Sequence, residues 1–180
     1  MAARATELAI EALITPTSTP APLTVQELIL TSTEANELAN RWSDTPFDDT
    51  QSVVPEYCLV ECVSFTWQGG AQGDSLLDIT LIKANSRDEA ATILAELKSN
   101  FVSGTAVELT LPELVSLPDD TFAFEAQTTQ LELLKGVLAR RGAIVILIGL
   151  NMPDLTEDEN LLFLSLYADR QIQKLIAAGY

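Results

Sequence analysis

The sequence predicts an α+β domain, an antiparallel sheet of about five to six strands with two main helices packed on it. Three observations predict this class. Segments of alternating apolar residues come in adjacent pairs joined by glycine-containing loops, as hairpins require. Two longer segments repeat apolar residues at helical spacing behind a capping signature. Strands joined as hairpins run antiparallel, and the helical stripes then need a sheet face to cover them. The expected order is β-β-α-β-β-β-α after a short helical entry.

The elements follow in chain order. Residues 2 to 14 have the composition of a short helix that would be marginal alone. Thr15-Pro-Thr-Ser-Thr-Pro-Ala-Pro22 then interrupts regular structure. Residues 1 to 22 therefore read as a tail and Thr/Pro-rich linker, and residues 23 to 180 as one domain. Thr24 and Glu27 form a capping box for a first helical turn, and Ser32 or Thr33 is expected to cap a second. Residues 43 to 55 are polar and turn-rich.

Residues 57 to 67 read as the first strand, with Tyr57, Val63, Phe65 and Trp67 on one face and Cys58, Cys62, Ser64 and Thr66 on the other. Residues 75 to 84 return as the second, with Leu77, Ile79 and Leu81 inward and Asp78 and Thr80 outward. Ser86 and Glu89 cap a helix running to about Phe101, and Gly104 stops it. Residues 121 to 127 form a further strand, with Phe122, Phe124 and Ala126 on one face. Residues 131 to 139 and 143 to 150 make a second hairpin around Arg140-Arg141-Gly142. Its return strand is apolar on both sides, as a covered central strand should be. Thr156 and Glu159 open the closing helix, whose stripe is Leu161, Leu164, Ala168, Ile172 and Leu175.

This arrangement resembles bacterial envelope lipoproteins and secreted domains with a fold similar to the photosystem II extrinsic P subunit. The resemblance rests on the hairpin and capped helix of residues 57 to 101, the Arg-Arg-Gly hairpin and the long closing helix. It rests also on Leu117-Pro-Asp-Asp-Thr-Phe-Ala, where Pro118 stands in place of the glycine that such domains often carry. It spans about Leu23 to Ala178. It implies a non-enzymatic extracytoplasmic module for binding or assembly, and it transfers no functional residues.

Composition narrows the function. The chain has 26 acidic and 10 basic residues, a formal net charge of -16, and no histidine. Such a field repels phosphate backbones and anionic lipid, so neither nucleic acid nor membrane insertion is expected. The longest apolar run, residues 143 to 150, is far shorter than the ~20 residues of a membrane span. The missing histidine removes the usual general base and the commonest metal ligand. Phosphate-binding glycine loops and the nucleophile elbow are absent too. No enzyme, cofactor or metal site is expected, and Asp119 and Asp120 read as turn formers. The acidic run from Asp154 to Asn160 lacks the glycine of a calcium loop.

Two candidate surfaces remain. Trp42, Phe47 and Trp67 could line a ligand cleft, and Asp44, Asp48 and Asp49 could hold a cation in an open loop. Cys58 and Cys62 read as buried thiols, because four strand residues separate Cα atoms by roughly 13 Å and a disulfide needs under about 7 Å, so the pair could close only across a bulge or tight bend. The expected function is a non-catalytic extracytoplasmic binding or assembly module, in the cell envelope or secreted, with an unknown protein or small ligand as partner. The alternative is a cytoplasmic adaptor of the same fold, in which residues 1 to 22 join an interface.

Overall fold

A computed structural model describes residues 23 to 180 except 54, 105, 113–116, 119 and 128–132. The expected tail and linker, and Asp119, lie outside the described residues. The elements are α1 (Val25–Leu28), α2 (Ser32–Leu38), β1 (Phe47–Asp48), β2 (Glu61–Gly69), β3 (Ser75–Lys83) and α3 (Arg87–Ser103). They continue with β4 (Val107–Glu108), β5 (Phe122–Gln127), β6 (Leu133–Arg141), β7 (Ile144–Asn151) and α4 (Glu157–Ala177). The strands form one antiparallel seven-stranded sheet in the order β1-β2-β3-β7-β6-β5-β4.

Local chemistry starts each helix. Thr24, Thr31 and Thr156 each accept from the backbone N–H three residues on, and the Glu at that position bonds back to the threonine N–H. The second cap is Thr31, not the expected Ser32 or Thr33, because Glu34 sits three residues after it. Ser86 caps α3 through the Glu89 N–H, while the Glu89 carboxylate accepts instead from Asn85. The Arg-Arg-Gly turn is tighter than expected: Arg140 and Arg141 pair with Val145 and Ile144, so Gly142 and Ala143 alone make the turn. Gly142 has φ 59, a left-handed conformation that costs a residue with a side chain far more.

Period-two alternation assigns the two sheet faces. Trp67, Leu77, Ile79, Leu81, Ile146 and Ile148 point to one face, under α1, α2 and α4. That face is the larger core, where full burial of each such side chain contributes roughly 1.5–3 kcal/mol. Ile82, Leu138, Val145, Phe122 and Phe124 point to the other, where α3 lays Ala90, Ile93 and Leu94 across β6 and β7. The apolar character of β7 on both sides follows from its position between α3 and α4.

The region of Cys58 departs from expectation. Residues 55 to 60 form turns, and β2 begins only at Glu61. Cys58 and Cys62 are joined by a disulfide with their Cα atoms 5.4 Å apart. The chain bends back before the strand, so the extended spacing that kept the two sulfurs apart does not apply. The bend also carries Tyr57 to the α3 side, opposite Val63 and Trp67, and leaves Leu59 and Val60 exposed.

Candidate ligand-binding cleft

One cross-strand row on the α3 face contains Thr66, Asp78, Gly149, Gly136 and Phe124, on β2, β3, β7, β6 and β5 in turn. The two glycines lie side by side on the central strands, so the sheet there has no side chains of its own. Neighbours lean into the space: a Cβ at Gly136 would overlap the Phe124 ring, and one at Gly149 would lie 3.0 Å from Leu134. Above this floor, Phe101 in the last turns of α3 stacks on Phe124 at 4.2 Å between centroids, and Phe124 in turn stacks on Phe122.

Two adjoining hollows open beside that aromatic stack. One, of about 250 Å³, lies between Val53, Tyr57, Ile82 and Leu97, with Ser64 and Thr80 in its floor and Asp49 at its side. The other, of about 190 Å³, lies against Phe124, Ala126, Leu134 and Gly149. Asp78, Phe101 and Leu147 line both and form the partition. The two form one elongated apolar cleft with a carboxyl group at its middle.

The polar groups of the floor are few and connected. The Ser64 hydroxyl lies 2.8 Å from that of Thr80, and Ser64 Oγ donates to Asp78 Oδ1 at 3.3 Å. Asp49 is held alongside by its N–H on the Ser64 carbonyl, and the Thr50 hydroxyl accepts from the Ser64 N–H. Burial pushes the Asp78 carboxyl up to about 6, and repulsion from Asp49 adds to this, against the hydrogen bonds from Ser64 and Thr80. Among the described residues no Lys or Arg lines either hollow. Such a carboxyl is an acceptor facing apolar walls without a cation. It suits a ligand with an apolar body and a donor or cationic group near its centre.

The structure separates the residues that the sequence proposed. Trp42 and Trp67 are buried in the larger core, on the far side of the sheet from the cleft. Trp42 Nε1 donates to the Tyr167 hydroxyl, which donates to the Ala35 carbonyl, and Trp67 Nε1 donates to Ser32 Oγ. Burial pushes the Tyr167 phenol up to about 12. Phe47 is exposed on the edge strand β1. The three aromatics therefore do not meet in one cleft.

The acidic loop is spread as well. Asp44 and Asp48 are exposed, and the Thr50 hydroxyl, with the Thr50 N–H that Asp48 accepts from, lowers the Asp48 pKa. Asp49 turns instead toward Asp78. Among the described residues no three His, Cys, Asp or Glu side chains gather to hold a metal ion. Sequence reasoning missed Asp78, Ser64, Thr80 and Phe101. The available signal was the outward face of β3, which reads Leu76, Asp78, Thr80, Ile82 and is too apolar for a solvated surface.

An α+β domain with a single antiparallel sheet covered by helices on both faces is the class this geometry defines. No family model matches the chain, and no curated protein matches it. Among solved structures it is similar to the extracellular domain of PknH from Mycobacterium tuberculosis, with a TM-score of 0.60 and 12% identity. The match covers 87% of this chain and 98% of that domain, and at this identity it is a likeness of fold.

Proposed function

We propose that the chain is a non-catalytic extracytoplasmic binding module whose cleft takes an elongated apolar ligand bearing an amine or other donor. The observation that carries this reading is Asp78. Its carboxyl stands between two apolar hollows with hydroxyl groups around it and, among the described residues, no cation. A carboxylate so placed favours a cation from the ligand, and the acidic molecule as a whole attracts one. The chain has no histidine to act as a general base, and among the described residues the floor offers only hydroxyls and carboxyls, so we read it as a binding surface.

Three observations support the extracytoplasmic part. The Cys58–Cys62 disulfide suits an oxidising compartment, residues 15 to 22 have stalk-like composition, and the fold is shared with an extracellular domain. The resemblance to photosystem-subunit-like envelope domains belongs to the same reading and rests on the order of elements. The adaptor alternative depends on residues 1 to 22, and no observation among the described residues favours it.

Calorimetric titration of the full chain at pH 7.5 with octylamine and with 1-octanol tests the cleft. Octylamine should bind at least tenfold more tightly, and Asp78→Asn should abolish the difference. Equal affinities in the parent protein, or no octylamine binding, would sink the reading.

A further inference from the structure

A second cleft lies at the other end of α3, independent of the one around Asp78. It has a volume of about 340 Å³ between the first residue of that helix, the β6–β7 turn and Tyr180, and Arg87, Arg140 and Arg141 all line it. The chain has ten basic residues against 26 acidic ones, so three arginines in one cleft run against the composition. Among the described residues, the carboxylate side chain in the lining is Asp120. Elsewhere Arg41, Lys135, Arg170 and Lys174 are each paired with a carboxylate.

We propose that this cleft binds a tetrahedral oxyanion, phosphate or sulfate, free or as the terminal group of a small solute. Two of the three guanidiniums are already held in place. Arg140 is fixed on Asp120 through Nε and Nη2 and reaches the Gly142 carbonyl through Nη1. Arg141 donates Nε to the main-chain terminal oxygen of Tyr180 at 3.0 Å, which orients the fork, offsets part of its charge and leaves its outer nitrogens without a partner among the described residues. Arg87 is exposed at the rim and likewise has no partner among them. Planar forks held before the ligand arrives lose little freedom on binding and match oxyanion edges with paired hydrogen bonds.

The arrangement also chooses among anions. The arginines come from two separate elements and, on β6, from adjacent positions that face opposite sides of the sheet. All three line the one hollow, from different sides. A carboxylate presents two oxygens in one plane, whereas a tetrahedral anion presents oxygens all round. The net charge of -16 repels a polyanion or an anionic bilayer at longer range, which favours a small solute over a lipid headgroup.

The test is a heteronuclear NMR titration of the full chain at pH 7 and constant ionic strength, with sodium sulfate, inorganic phosphate, acetate or chloride. Saturable shifts with sulfate and phosphate, centred on Arg87, Arg140, Arg141 and Gly142 and at least fivefold weaker with acetate, are expected. Arg87→Gln, at an exposed position, should weaken sulfate binding at least fivefold. Indistinguishable responses to sulfate and chloride, or no effect of Arg87→Gln, overturn the site. Flotation with phosphatidylcholine vesicles containing phosphatidylglycerol should leave the chain unbound. Arg87-dependent flotation would overturn the small-solute assignment in favour of a headgroup.

Discussion

Asp78 links stability to pH in a direction opposite to that of most carboxylates. Its pKa is about 6 in the folded protein against an ordinary 3.8. Below pH 3.8 both folded and unfolded chains hold the proton, and the group costs nothing. As pH rises through 6 the unfolded chain releases the proton more readily, so folded stability falls, by about 3 kcal/mol when complete. Asp78→Asn should therefore stabilise the protein by about 2–3 kcal/mol at pH 7 and by nearly nothing at pH 3, measured by urea unfolding at both. A destabilised Asn variant at pH 7 would show that the charged carboxylate has a favourable partner in the fold. Tyr167 is the opposite kind of buried polar group. Its hydroxyl serves both Trp42 and the Ala35 carbonyl, and Tyr167→Phe leaves a buried donor and a buried acceptor unmatched. A loss of roughly 1–3 kcal/mol at pH 7 is expected in the same assay. Both tryptophans were expected to line a cleft, and their burial against Tyr167 and Ser32 was not legible. Those partners lie 125 and 35 residues away in the chain.

At the level of elements, what could be read was what is decided locally. The capping boxes, the two hairpins and the glycine stops depend on residues within a few positions of one another, and most fell within a residue or two of the expected places. Edge strands β1 and β4 were not legible, because two residues pairing with a neighbour carry no periodicity. The start of β2 was misread for a related reason. Apolar Leu59 and Val60 continue the alternation, yet the Cys58–Cys62 bond holds the chain in a turn there. A crosslink over so short a segment removes a limited amount of unfolded-state freedom, about 2 kcal/mol by loop-closure arithmetic. Cys58→Ser should lower stability by about that amount, read from the urea midpoint. It should leave α3 and α4 intact by circular dichroism. Loss of the whole fold would mean that the turn organises the sheet. Thr156→Ala removes the side-chain cap of α4, and a cost of about 1 kcal/mol is expected.

The whole molecule places two unlike clefts at opposite ends of one helix. Asp78 and Phe101 lie at the end of α3, and Arg87 lies at its start. Seventeen helical residues separate the ends by about 25 Å, roughly three screening lengths at physiological ionic strength. Direct electrostatic coupling is then small. Saturating sulfate should change the octylamine dissociation constant by less than about twofold at 0.15 M salt. A larger change would identify α3 as an element with two positions, biased from both ends. Neither cleft was legible in the sequence pattern, since each is made by residues brought together across the sheet. The fold class was visible because hairpins and helical stripes constrain the topology well before any site is defined.

The outer side of β2 is finished in pieces, and this bears on how the protein tolerates crowding. Trp42 bridges Gly69 and the Ser43 N–H meets the Gln68 carbonyl. Phe47 and Asp48 pair with Thr66 and Phe65, and Asp49 and Thr50 engage Ser64. Three short segments from a turning chain thus occupy the hydrogen-bonding positions that one continuous strand would otherwise fill. A strand from a neighbouring molecule would have to displace each segment separately, including Trp42 from its bond to Tyr167. The patchwork edge acts as a guard against templated polymerisation, built from the same loop that carries Asp49 to the cleft.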